Sequence, residues 1–65
     1  MSLDRAQFHQ QHLADAQAKA AELFARKPEL QGAWLSWLAS QLYELRPAEY
    51  ASMVRRELQR LHNLP

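Results

Sequence analysis

Apolar residues recur at helical spacing from Leu30 to Leu45, LQGAWLSWLASQLYEL, a stretch holding both tryptophans. At about 100° per residue, Trp34, Leu38, Leu42 and Leu45 share one side, with Leu30 and Trp37 on one flank and Leu35 on the other. Only Ser36, Ser40 and Glu44 mark a clear solvent side. An arc this wide exceeds the stripe that one neighbouring helix covers, so the pattern predicts a central helix packed on two sides. Pro28 and Pro47 bound it. Gly32, one turn in, lets the regular helix begin only near Ala33.

Before Pro28 the pattern predicts a helix over about residues 3–26, with Ser2 or Asp4 as cap and Asp4–Gln7 at capping-box spacing. Its inner face is read as Ala6, Leu13, Ala16, Ala20, Leu23 and Phe24, small enough to let a neighbour come close. Asp15–Lys19 and Glu22–Arg26 are acid-before-base pairs at i,i+4 and mark the solvated face. Phe8 falls on that face, so either the helix starts after it or Phe8 is exposed for a partner.

After Arg46, a third helix is predicted over about 47–62, with Arg46 as N-cap and Pro47 as the first helical residue. Leu45 and Tyr50 then take the spacing of a hydrophobic staple. Tyr50, Ala51, Val54, Leu58 and Leu61 lie on one face, against Arg55, Arg56, Gln59, Arg60 and Asn63 on the other. The expected architecture is all-α: one domain, 1–65, a compact three-helix bundle of helices 3–26, 28–45 and 47–62 with the second central.

Composition strengthens the helical reading. There are eleven Leu and eleven Ala but one Val, no Ile and no Thr, a choice that favours helix over strand. Without cysteine, and near the lower size limit for a self-sufficient core, stability must come from apolar packing or oligomerisation. The net charge of +1 is too small to imply a polyanionic partner, although residues 46–65 carry four Arg against two Glu. No apolar run reaches the length of a membrane span and no signal pattern opens the chain, so a cytoplasmic protein without a membrane partner is expected.

Little in the chain suggests chemistry. His9, His12 and Asp15 can share a helix side, but metal binding needs at least three convergent ligands with support behind them. His62 suits a helix C-terminus through the macrodipole alone. Ser2, Ser36, Ser40 and Ser52 lack a neighbouring His–acid arrangement, and there is no Gly-rich phosphate loop. The expectation is therefore no metal, no cofactor, no small-molecule substrate and no enzyme.

Two kinds of partner remain. Arg55, Arg56 and Arg60 are candidates for an acidic protein surface or nucleic acid, although basic residues late in a helix also complement its dipole. Leu38 to Leu61, with the run PAEYASMVRREL after a helix and short turn, distantly resembles the helical half of ribbon-helix-helix DNA-binding proteins. That family reads DNA with an N-terminal strand of basic and polar residues, a place taken here by the Ala-rich first helix, so membership is not assigned. A major-groove helix-turn-helix meets Tyr43 near the turn where a small residue is expected. Trp34, Trp37, Leu35, Tyr43, Tyr50 and Phe8 are the candidate interface residues, aromatic and apolar groups that a chain of 65 residues has trouble hiding. The leading reading is a small helical protein–protein interaction module, an adaptor, inhibitor or regulatory subunit, associating with itself as a homodimer. The alternative is a nucleic-acid-binding regulator using the arginine face of the third helix.

Overall fold

The computed structural model describes residues 5–64, and all of its regular elements are helical. Helix α1 spans Arg5–Phe24, a single turn α2 spans Lys27–Leu30, and a 3₁₀ turn covers Gln31–Ala33. Helix α3 then runs over Trp34–Glu44 and helix α4 over Ala48–His62. The all-α expectation is met, with no strand among the described residues. The capping residues Ser2 and Asp4 lie outside them.

There are two long helices, α1 and α4, where the sequence predicts three. The middle segment is broken at Gln31, whose φ of 48° and ψ of −118° form a backbone that L side chains rarely adopt. Its N–H closes α2 on the Lys27 carbonyl, and the following 3₁₀ turn leads into α3. Gly32, the one residue suited to such a φ, stands beside it with an ordinary one.

Ends shift as well. Helix α1 stops at Phe24, so Arg26 leaves the helical register and pairs with Glu29 at 3.0 Å instead of Glu22. Glu22 pairs with Lys19 at 3.9 Å, in place of the predicted Asp15–Lys19 contact. At the other junction Leu45 is extended, and the Arg46 guanidinium donates to the carbonyls of Tyr43 at 2.9 Å and Leu45 at 3.3 Å. Pro47, at ψ 176°, is the N-cap of α4 rather than its first helical residue. That one-residue slip takes Tyr50 out of staple register with Leu45. The Tyr50 hydroxyl instead donates to the Asp15 carbonyl of α1 at 3.4 Å.

The main seam is α1 against α4. Ala16 and Ala20 from α1 and Val54 from α4 are fully buried, joined by Leu23, Met53 and Leu58. Small side chains at Ala16 and Ala20 let the two helix backbones approach, as the sequence predicts. The buried face of α1 is the predicted one from Leu13 to Phe24 and differs only in its first turns, where Ala6 is exposed and Phe8 and His12 are half-buried. Helix α3 packs on α4 over a shorter zone, burying Trp34 and Leu38, while Leu30, Trp37, Leu42 and Leu45 are half-buried. The central position predicted for the second helix thus belongs to α4, the element packed against both others. The Cα trace measures 44 × 26 × 14 Å.

Candidate docking groove between α3 and α4

Trp34 fixes where α3 begins. Its indole Nε1–H donates at 3.0 Å to the Leu23 carbonyl in the last turn of α1, an acceptor that also takes the Arg26 N–H at 3.3 Å. Its ring also meets Phe24 edge to face, 5.9 Å between centroids. With the polar end of the indole satisfied inside the protein, Trp34 acts as a core anchor, and only its outer edge is left for a partner.

From that anchor the row Trp34, Leu38, Leu42 runs along α3 at i,i+4,i+8, with Leu35 beside it. On α4 the residues Arg55, Leu58, Gln59 and His62 form an i,i+3,i+4,i+7 row. Between the two rows lies an open groove of about 210 Å³, with a mostly apolar lining. Leu35 is 70% exposed at its edge. At one end, Lys27 Nζ sits 5.4 Å from the Trp34 ring centroid and 5.5 Å from that of Phe24. It also lies 3.4 Å from His62 Nδ1. Arg55 stands about 10 Å from His62 by helical rise along the same edge.

A second cavity, of about 270 Å³, opens between α1 and α4, lined by Phe8, His9, Glu49, Ser52, Met53 and Arg56. It mixes one carboxylate, one imidazole and one guanidinium over an apolar floor. No group of three His, Cys, Asp or Glu side chains able to hold a metal occurs among the described residues.

The candidate residues divide sharply. Leu35 is exposed in the groove. Tyr43 is 79% exposed on the far end of α3, with the Arg46 guanidinium 5.9 Å from its ring. Trp37 is half-buried against the core. Tyr50 bridges α1 and α4, its ring 6.3 Å from that of His12. Burial raises the Tyr50 phenol above its ordinary pKa, with the Asp15 and Glu22 carboxylates adding to the rise. Phe8 is neither before the helix nor exposed: it lies inside α1, half-buried, its ring 4.4 Å from His12.

The three arginines of α4 do not converge. Arg55 lines the α3/α4 groove, Arg56 lines the α1-side cavity, and Arg60 is paired with Glu57 at 3.0 Å, as the sequence spacing allows. Sequence reasoning missed Leu42, Leu58, Gln59 and His62 as groove residues, and Lys27 beside His62. The α4 row straddles the two faces predicted for that helix, Leu58 on one and Arg55 and Gln59 on the other, so the helical pattern does not mark it as an edge.

Among the described residues, no helix is long and apolar enough to cross a membrane. Compared with known proteins, the chain matches no family model, no curated sequence and no solved structure. The strand with which ribbon-helix-helix proteins read DNA has no counterpart in residues 5–64, where α1 stands instead.

Proposed function

We propose that this chain is a small helical protein-interaction module that docks a partner in the groove between α3 and α4. One observation carries the proposal: the groove between α3 and α4 is open and mostly apolar, with Trp34 and Leu38 buried in its floor, Leu42 half-buried and Leu35 exposed at its edge. In a chain this small, an uncovered apolar trough continuous with the core is a surface that association would bury. A second copy of the chain, as the sequence reading prefers, or another protein would do so.

Nucleic-acid binding through α4 draws less support, because Arg55 and Arg56 serve different faces and Arg60 is engaged with Glu57. Salt separates the two readings. Contacts to phosphate weaken steeply as salt rises, whereas an apolar contact holds. The experiment is affinity capture on the immobilised protein and on its Leu35→Glu variant, from host lysate, at low and raised salt. A partner retained by the parent at both salts and lost on the variant is the expected result. Partners that ignore Leu35→Glu, or that wash away with salt as nucleic acid does, would remove the groove from the function.

A further inference from the structure

We infer that the α3/α4 groove receives an amphipathic helix of another protein, its apolar stripe flanked by acidic side chains. The inference rests on the docking function proposed above and specifies the chemistry of the partner.

The shape of the groove comes first. From Trp34 to Leu42 the apolar row spans about 12 Å by helical rise, a little over two turns. That length takes the i, i+3 or i+4, i+7 anchors of a docked helix.

Charge then chooses the partner. The ionisable side chains that line the groove are Arg55 and His62, and Lys27 lies 3.4 Å from His62. No carboxylate is in the lining. The nearby acids are committed elsewhere, Glu57 to Arg60 and Glu29 to Arg26, each at 3.0 Å. Arg55 has no ion-pair partner among the described residues. The rim therefore presents positive charge without its own counter-charge, and an acidic flank on the incoming helix supplies it. Such rim pairs contribute on-rate and choice of partner more than affinity, which comes from the apolar floor.

The same bookkeeping argues against a second copy. A two-fold that seats groove on groove supplies no carboxylate from the lining to meet Arg55. Seating a different face of the same chain in the groove makes a head-to-tail contact, which closes only as a ring and otherwise propagates.

The test is selection from a phage-displayed library of amphipathic helices with a fixed leucine stripe. Its flanking positions are randomised among Glu, Lys, Gln and Ser. The target is the full chain, with Leu35→Glu as counter-selection and Arg55→Glu as a charge-reversed target. Both substitutions fall on exposed side chains, which leaves the core intact. The expected result is enrichment of Glu over Lys on one flank, and selected peptides that bind the parent on the order of tenfold tighter than either variant. Arg55→Glu should turn the enrichment toward Lys. Binders that need Leu35 but show no preference for acid would overturn the acidic partner and leave the docking groove standing. A library yielding no binder sensitive to Leu35→Glu would overturn both. Sedimentation equilibrium of the parent supplies the remaining outcome: a dimer abolished by Leu35→Glu makes a second copy the occupant and overturns the inference.

Discussion

Along the α1/α4 seam the fully buried residues are Ala16, Ala20, Leu23 and Val54, whereas the segment from Lys27 to Glu44 holds both tryptophans yet buries only Trp34 and Leu38. The modest residues make the tighter contact. Alanine at Ala16 and Ala20 costs no side-chain entropy and lets a neighbouring backbone approach, so the seam closes along α1. Trp34 also meets Leu23 and Phe24 of α1, but beyond it the middle segment packs against α4 over a short zone. Its apolar surface is continuous with the core but not enclosed by it, and the surplus becomes the groove. Hydrophobic density along a chain therefore marks where surface needs covering; it does not identify which element sits at the centre.

Truncating the two regions at comparable leucines gives the largest contrast. Leu23→Ala, in the seam, should destabilise by roughly 2–5 kcal/mol, while Leu35→Ala at the groove edge should stay within about 0.5 kcal/mol of the parent. Urea unfolding of the two variants measures both, and similar midpoints would erase the distinction between seam and groove. Leu38→Ala, buried beneath the groove, should fall toward the lower end of the same range.

Enlarging a side chain probes the close approach directly. Ala20→Leu has no space to fill and should cost about 1–3 kcal/mol through overpacking. Ala39→Leu, on the exposed side of α3, should leave the urea midpoint nearly unchanged. If both variants melt with the parent, the seam is looser than its burial indicates.

A smaller effect is expected where the middle segment breaks. A Cβ added at Gly32 meets nothing within 4 Å, and its φ is ordinary, so Gly32→Ala should stabilise by about 0.4–1 kcal/mol by restricting the unfolded chain. Gln31→Gly should also raise the melting temperature, because glycine adopts a positive φ without strain. A fall in melting temperature for either variant would mean that the break between α2 and α3 lies elsewhere.

The finest probe is Tyr50, the hydroxyl bridge across the seam. Its raised pKa means that the fold favours the neutral phenol. The resulting stabilisation is complete below the ordinary phenol value of 10.0 and is lost as pH rises through the higher folded value. Tyr50→Phe should cost under about 1 kcal/mol at neutral pH, consistent with one long hydrogen bond. It should also remove part of the alkaline loss of stability. Parallel urea midpoints for parent and variant from neutral pH to beyond the phenol range would show that Tyr50 does not sense the seam.

The sequence by itself determined that the protein is helical, where its proline junctions fall, and that Ala16, Ala20, Leu23, Val54 and Leu58 face inward, because propensity and helical period are local properties of the chain. It also placed Trp34, Leu38 and Leu42, one edge of the groove, on a single side of a helix. Tertiary structure decided the rest. It made α4 rather than the middle helix the shared neighbour, tucked in Phe8 and His12 near the start of α1, and tied Trp34 to the Leu23 carbonyl. It also sent Arg55, Arg56 and Arg60 to three different surroundings. Each of these depends on how far one helix is rotated against another. A one-residue slip at Pro47 or a break at Gln31 resets that rotation, and the energies that fix it come from contacts between residues far apart in the chain.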